Sequence, residues 1–460
     1  MLNKLFLFLF LSTTFFASAQ TKDDADVATL KKIYGNELTE GKCYPWLYDL
    51  CTKIGGRLSG SDNAARAVEY TKKMLDTSGF STRLQACMVP HWVRGAKEEV
   101  LMRSKHTGDS FLHALSIGNA VGTGAKGIEA EVIEVHNLDE VTALGDKVKG
   151  KIVFYNAPMN RTYMNTFRAY GESGAQRYAG PSRAAQFGAL GVLVRSLTTE
   201  LDDYPHTGSL RYDEKFPKIP AICISTNDAD KLSTAIKSET GLKIFMKSTC
   251  EMLPDVESYN VIAEIKGTEK PEEIIVIGGH LDSWDPAQGA HDDGAGSVQS
   301  MEVLHLLKRI GYKPKHTIRC VLFMNEENGL KGATKYGDEA KKSTTEKHIF
   351  ALESDEGGFA PREVSFEGDS SVFAQKYPQI EAWNSLLKPY GVDITKGGSG
   401  ADVGVLRDKN IILAGLRPDC NRYFDFHHTA LDKIEGVNRR ELELGAATIT
   451  TIVYLVDKYF

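Results

Sequence analysis

The stretch IIVIGGHLDSWDPAQGAHDDGAG, residues 274–296, places two histidines and four aspartates directly after four consecutive β-branched residues. A short apolar run of this kind is typical of a strand buried on both faces. A strand followed by a polar loop and then a helix is the repeating unit of a parallel sheet, where ligands bind beyond the carboxyl ends of the strands. The charge at this position therefore predicts a binding site.

The same order of strand, loop and helix recurs through the C-terminal half. Helix patterns cover AGSVQSMEVLHLLKRIGY (295–312) and NGLKGATKYGDEAKK (328–342). Strand patterns cover HTIRCVLFMNEEN (316–328), HIFALESDEGG (348–358) and KNIILAGLRP (409–418). Alternation of this kind predicts an α/β fold with a mixed, largely parallel sheet and helices on both faces.

The unusual polar residues of this half all follow or precede these elements at one edge of the predicted sheet. They are His280, Asp282, Asp292, Asp293, Glu326, Glu327, Asp355 and His428. Acidic groups that converge in a cleft of low dielectric constant repel one another strongly unless cations are present. The pattern therefore predicts a metal site.

The types of ligand narrow the choice of metal. Imidazoles together with carboxylates, without a thiolate, suit zinc better than calcium or magnesium, although cobalt or manganese could substitute. One aspartate has two oxygens and can bridge two ions, so that each ion also holds one histidine and one further carboxylate. Such a site keeps an open position for water.

The N-terminal and middle parts of the chain have different patterns. Residues 60–80 predict a surface helix with Asp62 as its N-cap and Gly79 at its end. Between Gly127 and Thr249, short strand-like runs such as KGKIVFYNAP (149–158) and FPKIPAICIS (216–225) predict a separate β-rich insertion. One helix-like segment, residues 181–195, leads into a strand of its own.

The first residues predict export. MLNKLFLFLFLSTTFFASAQ has an early Lys4, an apolar run at residues 5–11 and an A-x-A arrangement ending at Ala19. This is typical of a signal peptide cleaved after residue 19, and the run is shorter than the ~20 residues that a spanning helix needs. We expect a periplasmic or secreted protein that is not inserted in the membrane.

Composition and cysteine usage limit the function classes. The chain has 460 residues, 42% of them apolar, a formal net charge of −6 and a pI near 6.1. Two or three domains are expected, and no basic surface for nucleic acid is indicated. The seven cysteines leave at least one thiol unpaired, and Cys223 and Cys320 are expected to be buried hydrophobic residues. No cysteine is assigned to chemistry.

Four motifs together resemble a known family. GGHLDSWDPAQGAHDDGAG, NEENG, ESDEGG and FHHTALD are similar to the metal-binding motifs of the co-catalytic zinc exopeptidases, which include carboxypeptidase Q and bacterial zinc aminopeptidases. Residues 55–75 resemble the family's N-terminal element, and the middle region resembles its protease-associated domain. The implied organisation is a signal peptide (1–19), peptidase segments (27–115 and 254–460) and a protease-associated insertion (116–253).

The resemblance implies a role for each site residue, with two zinc ions per chain. One ion would be held by His280 and Asp355 and the other by Glu327 and His428, with Asp292 bridging the two. Glu326 would be the general base, free of metal. Asp282 would orient the imidazole of His280, as metal-bound histidines usually require.

Several nearby residues have simpler interpretations. His427 adjoins His428, but the family pattern of His, Thr and then Asp432 favours His428. Asp293 and Asp285 could be ligands, although an aspartate beside a helix start more often caps the helix. His291 is expected in a loop, and His136 is expected to be a surface or core residue.

These residues predict an exported dinuclear zinc metalloexopeptidase that hydrolyses short peptides or dipeptides. A catalytically inactive receptor-like binding protein on the same fold, and a single-zinc acyltransferase similar to glutaminyl cyclase, are the alternatives. The resemblance places substrate contacts in TKGGSGADVGVLRD (395–408), which offers Ser399, Asp402 and Arg407. It also implies a homodimer. Which end of the peptide is recognised stays open.

Overall fold

The structure is a computed structural model that describes residues 24–408 and 410–460. The predicted signal peptide, residues 1–19, lies outside the described residues. The strands of these ranges are β1 (Ser81–Val93), β2 (Glu98–Ser104), β3 (Gly108–Leu112), β4 (Ala114–Ser116), β5 (Ile128–Val135), β6 (Ile152–Tyr155), β7 (Gly191–Arg195), β8 (Ala221–Ile224), β9 (Lys243–Ser248), β10 (Glu251–Ile265), β11 (Lys270–His280), β12 (His316–Phe323), β13 (Lys347–Glu353), β14 (Pro361–Gly368), β15 (Asp393–Lys396) and β16 (Ile412–Pro418).

Helices fill most of the intervals between these strands, together with short π-helical or 3₁₀ turns. The helices are α1 (Asp24–Glu40), α2 (Cys43–Asp49), α3 (Asp62–Thr77), α4 (Leu138–Leu144), α5 (Thr166–Ser173), α6 (Ala175–Tyr178), α7 (Gly180–Gln186), α8 (Thr226–Ser238), α9 (Ala295–Arg309), α10 (Lys331–Lys342), α11 (Ser370–Ala382), α12 (Asn384–Leu387), α13 (Ala401–Gly404), α14 (Tyr423–Phe426) and α15 (Arg439–Tyr459). The π turn Ala290–Gly294 immediately precedes α9.

The first sheet is the one the sequence predicts. Its spatial order is β1, β10, β12, β11, β13, β16, β14, β15. The four central strands β12, β11, β13 and β16 run parallel, while β1, β10 and β14 pair antiparallel with a neighbour. The prediction of a mixed, largely parallel sheet is confirmed. β14 and β15 were not anticipated, because PREVSFEG and DITK contain no continuous apolar run.

Helices cover both faces of this sheet, as its alternating side chains show. Ile275 and Ile277 of β11 belong to one hydrophobic core, which also contains apolar side chains of α1, α9 and α15. Ile274 and Val276 belong to a second core, with Ala333 and Tyr336 of α10. A strand buried on both sides has no polar face, which is why its sequence is continuously apolar.

The helix predicted from residues 60–80 is α3, but its N-cap is Ser61. The Ser61 hydroxyl accepts a hydrogen bond from the backbone N–H of Ala64 at 3.2 Å. Asp62 is the first helical residue instead, so the assignment of Asp62 as N-cap is wrong by one position. Gly79, with φ +74, follows the end of the helix as predicted.

The second sheet is formed by the middle of the chain. Its order is β3, β2, β9, β5, β6, β7, β8, β4, and all its strands lie between Glu98 and Ser248. β5, β6, β7 and β8 run parallel. Two of its strands, β2 and β3, precede residue 116, and the division of the chain at 116 and 253 stays a prediction.

Two further properties bear on the predictions. Among the described helices, none combines the length and the apolar character that a membrane crossing requires. All seven cysteines are free thiols, and Cys223 and Cys320 are fully buried as expected.

Candidate metal centre

The predicted ligands meet at the carboxyl edge of the parallel strands. His280 is the last residue of β11, and it lies opposite Phe323, the last residue of β12. Glu327 is in the turn after β12, and Asp355 follows β13. Because parallel strands end at the same edge, residues far apart in sequence converge there.

The side chains form two pairs joined by one aspartate. His280 Nε2 lies 3.1 Å from Asp292 Oδ1 and 3.2 Å from Asp355 Oδ1. His428 Nε2 lies 3.2 Å from Asp292 Oδ2 and 3.1 Å from Glu327 Oε2. Asp292 therefore presents a different oxygen to each histidine, which is the arrangement of a bridging carboxylate.

The other imidazole nitrogens show how these histidines are oriented. His280 Nδ1 lies 2.9 Å from the carbonyl oxygen of Asp282, and His428 Nδ1 lies 3.3 Å from that of Thr207. A carbonyl oxygen can only accept, so each Nδ1 carries the proton. In the neutral imidazole, each Nε2 then directs its lone pair at carboxylate oxygens. Imidazole nitrogens and carboxylate oxygens that face one another with their lone pairs are suited to bind a cation between them.

The burial of these charged groups also indicates a cation site. Burial, reinforced by the charge of Asp292, raises the pKa of Glu327 to about 7, although His428 lowers it in part. Burial opposes the charge on His428, but the carboxylates of Glu327 and Asp292 outweigh it and raise its pKa to about 10. Oδ2 of Asp292 is buried without a hydrogen bond among the described residues. A cation bound between these carboxylates would offset the cost of burying their negative charge.

Glu326 has a different environment from its neighbour Glu327. It is half-buried and lines the cleft, and its carboxylate is not among the converging groups that could hold an ion. Burial raises its pKa well above the usual range, with repulsion from Asp355 adding to the effect and His280 partly offsetting it. A carboxylate whose pKa is raised in this way holds a proton more readily than an exposed one, as a general base requires.

Asp282 supports the site in two ways, only one of which the sequence indicated. Its carbonyl oxygen, rather than its carboxylate, orients His280, since Oδ1 lies 3.9 Å from Nδ1. The carboxylate Oδ1 instead accepts the backbone N–H groups of Asn325 at 2.7 Å and Glu326 at 3.1 Å. Asp282 thus links the end of β11 to the turn that carries both glutamates.

Two neighbouring candidates lie close enough to the proposed ligands to share an ion, His427 beside Asp292 and His428, and Asp293 beside His280 and Asp355. Each candidate also has a contact of another kind. His427 Nε2 is 3.9 Å from Asp292 Oδ2, farther than His428, on which its ring stacks. Asp293 accepts the N–H of Gly296, in the first turn of α9, at 2.9 Å and the N–H of His280 at 2.9 Å, although the N-cap residue of α9 is Gly294. Asp285 pairs with Arg94, the buried ring of His291 stacks on Phe359, and the exposed His136 contacts Glu140.

The predicted substrate contacts lie away from the cleft. Ser399 and Arg407 both bind the carboxylate of Glu367, each at 2.7 Å. Asp402 is 1% exposed, and neither of its oxygens has a hydrogen-bond partner among the described residues. None of the three lines the cleft, so their contact with substrate stays a prediction without support from the cleft walls.

The second sheet supplies an unexpected support for the centre. Thr207, in the connection from β7 to β8, donates its N–H to the carbonyl of His428 at 2.9 Å and accepts from the ring of the same residue. His206 Nδ1 lies 2.7 Å from the carbonyl oxygen of His427. These contacts hold His428 in a left-handed backbone conformation, φ +61. Nothing in the sequence near 206 indicates this role.

The loop between β11 and α9 is held by two more residues. Arg57 is fully buried and donates to three backbone carbonyl oxygens, those of Leu281, Gln288 and Gly289. Asp432 accepts the N–H groups of His291 at 2.7 Å and Asp292 at 3.1 Å. Asp432 belongs to the fourth motif. Arg57 belongs to no metal motif, and its only signal in the sequence is a charge between Gly56 and Leu58.

The centre opens into a cleft of about 760 Å³. The cleft is lined by all five proposed ligands, by Glu326, and by loops of the second sheet that include Ser209 and Leu210. Aromatic rings from both parts of the chain contribute to its walls: Phe167, Tyr170, Tyr178 and Tyr423. A cluster of histidines and carboxylates at the strand ends of an α/β fold, beside an uncommitted acid, defines a metal-dependent hydrolase.

Comparison with known proteins identifies the family. The model of peptidase family M28 matches residues 260–453. Carboxypeptidase Q from Bos taurus is 34% identical over 429 residues, which cover 92% of this chain and 86% of the relative. The chain therefore belongs to peptidase family M28, and it is a metallopeptidase.

Solved structures agree with this assignment. The crystal structure of a peptidase M28 precursor from Shewanella amazonensis SB2B has a TM-score of 0.89 and 30% identity, and the match covers 95% of this chain and 97% of that one. BSAP, a zinc aminopeptidase from Bacillus subtilis, has a TM-score of 0.64 at 18% identity, over 90% of this chain and 94% of its own. The latter likeness shows the fold alone.

Proposed function

We propose that this metallopeptidase is a dinuclear zinc exopeptidase that removes a terminal residue from short peptides or dipeptides. The observation that carries the proposal is Asp292, whose two carboxylate oxygens face two separate pairs of histidine and carboxylate. One ion would be held by His280, Asp355 and Asp292. The other would be held by His428, Glu327 and the second oxygen of Asp292.

Zinc ions bound there would lower the pKa of water and polarise the scissile carbonyl group. The ligand set supports zinc because it combines imidazole and carboxylate without thiolate, and the relative from Bacillus subtilis is named a zinc aminopeptidase. Cobalt or manganese would also suit these ligands. The carbonyl oxygens of Asp282 and Thr207 keep the two imidazoles in the tautomer that binding requires.

Glu326 is the general base in this proposal. Its carboxylate takes a proton from the attacking water and then donates it to the nitrogen of the leaving amine. The raised pKa of Glu326 suits the first step, because burial makes its carboxylate a stronger proton acceptor than an exposed glutamate. Asp282 keeps the backbone of this residue in place.

The cleft supports a short substrate. Its walls come from segments of both sheet regions, and Tyr170 and Tyr178, which lie between β6 and β7 of the second sheet, are among the lining residues. A space of about 760 Å³ accommodates a few residues of peptide, with aromatic surface for side chains. The names carboxypeptidase Q and zinc aminopeptidase refer to opposite ends of a peptide substrate. An enzyme that cleaves dipeptides would satisfy both names.

Three further parts of the proposal rest on the sequence. The pattern of residues 1–19 supports export through a cleaved signal peptide. The strands between Glu98 and Ser248 support a protease-associated insertion in the middle of the chain. A homodimer remains an expectation from the resemblance.

The test is hydrolysis of unblocked dipeptides before and after metal exchange. Purified protein should release free amino acids, lose this activity on dialysis against a chelator, and recover it with zinc. An inactive binding protein would release none at any metal content. A single-zinc acyltransferase would instead cyclise an N-terminal glutaminyl peptide and saturate at one ion per chain.

A further inference from the structure

Three cations on the walls of the cleft have no acidic partner. They are Arg177, Arg211 and Lys331. None of the three forms an ion pair with another described residue, whereas the half-buried Arg94 and Arg417, which lie outside the cleft lining, each pair with a carboxylate. Unpaired cations gathered in one cleft attract an anionic group.

Arg177 is the most constrained of the three. Its side chain is 7% exposed, and its guanidinium donates to the carbonyl of Thr207 at 3.0 Å and to the hydroxyl of Tyr170. Its Nε is buried without a hydrogen-bond partner in the described part of the chain. A buried guanidinium without a carboxylate is costly, so its charge calls for an anion from outside the protein.

Arg211 and Lys331 are exposed and approach the cleft from different parts of the fold. Arg211 lies after the loop that contacts His428, and Lys331 is the first residue of α10. The side chains of both are without hydrogen bonds to described residues, so each is available to a ligand. Lys331 also lies at the positive end of a 12-residue helix, which favours an anion at the same place.

The balance of acidic and cationic residues in the cleft indicates the charge of the substrate group that it can bind. The acids of its lining are Asp292, Glu326, Glu327 and Asp355, all of them in the proposed centre. Two divalent cations would balance these four negative charges. The three cations then remain uncompensated, and no acid of the lining is left over to bind a substrate ammonium group.

We propose that Arg177, Arg211 and Lys331 form a subsite for the free α-carboxylate of the substrate. This subsite rests on the proposed exopeptidase function and makes it specific: the C-terminal end of a short peptide is read, and the C-terminal amino acid is the leaving group. Arg177 supplies a buried charge in the wall of the cleft. Arg211 and Lys331 supply two exposed charges from different segments of the chain.

The test compares Ala-Leu with Ala-Leu amide, which lacks only the terminal charge. Arg211→Gln and Lys331→Gln should each lower kcat/KM for Ala-Leu by roughly 3- to 10-fold, and together by on the order of 10- to 100-fold. Hydrolysis of the amide should be slower from the start and unchanged by the variants. Lys341→Gln, the same substitution on an exposed lysine of α10 outside the cleft lining, is the matched control and should alter neither rate.

Three outcomes would overturn the subsite. The wild-type protein could hydrolyse acid and amide equally, the variants could slow both substrates alike, or only Ala-Glu amide, with its side-chain carboxylate, could depend on the cations. Calorimetric binding of Ala-Leu and its amide to zinc-loaded Glu326→Gln protein decides the subsite without turnover. A protein that prefers the acid in binding but hydrolyses nothing would refute the exopeptidase proposal and leave the subsite standing.

Discussion

Substitution of the two adjacent glutamates separates the base from the ligand. Glu327 is buried with its carboxylate oxygen 3.1 Å from Nε2 of His428, so Glu327→Gln should lose metal from the site that those residues share. Glu326 is not among the converging groups, so Glu326→Gln should retain the wild-type metal content. The two variants therefore differ before any rate is measured.

The rates follow from the different roles. A positioned general base contributes on the order of 10² to 10⁴ in rate, equivalent to about 3 to 5 kcal/mol of barrier. Glu326→Gln should lower kcat by that factor while zinc remains bound. Glu327→Gln should lose activity in proportion to the metal it loses, and excess zinc should restore part of it.

Metal content by mass spectrometry and steady-state hydrolysis of a dipeptide provide the two measurements. Glu272→Gln is the matched control, since Glu272 is exposed on β11 at the end away from the centre and should leave both quantities unchanged. Loss of metal from Glu326→Gln with full loading of Glu327→Gln would reverse the roles. If both variants stayed loaded and active, the proposed mechanism would be wrong.

Three other substitutions test the surroundings of the centre. Asp292→Asn should lower the zinc occupancy of both sites, measured as bound metal. Loss of one ion alone would show that Asp292 is not the bridging ligand. Arg57→Met leaves three backbone carbonyls, two of them buried, without this donor and should lower the free energy of unfolding in urea by roughly 3 kcal/mol; no change would refute its role. His206→Phe removes the contact with the carbonyl of His427 and should weaken zinc binding about 10-fold, because His428 is then held less firmly. An unchanged zinc affinity would show that His206 does not support His428.

The sequence was most informative where the chemistry is local. The strands before the proposed ligands contain apolar runs, and His280, Glu327 and Asp355 lie at or within a few residues of a strand's end, so their convergence at one edge could be anticipated. The cap of α3 shows the limit of such patterns. Ser61 and Asp62 are both good capping residues, and only the backbone conformation decides between them.

The parts that sequence reasoning missed depend on contacts between distant segments. Thr207 and His428 are 221 residues apart, and their hydrogen bonds arise from the packing of a loop of the second sheet against the fourth motif. The carbonyl that orients His428 belongs to the backbone and leaves no signature in the residue type. The cations of the cleft were missed for a related reason, because a cation without a partner is recognised only when its surroundings are known.

The number of ions bound per chain tests the central claim most directly. The claim is that Asp292 joins two metal sites, so protein freed of metal and then titrated with zinc should bind two ions for each chain. Hydrolysis should rise as the sites fill, because the same residues hold both ions and position the water. Saturation at one ion or fewer, with full activity, would contradict the dinuclear centre.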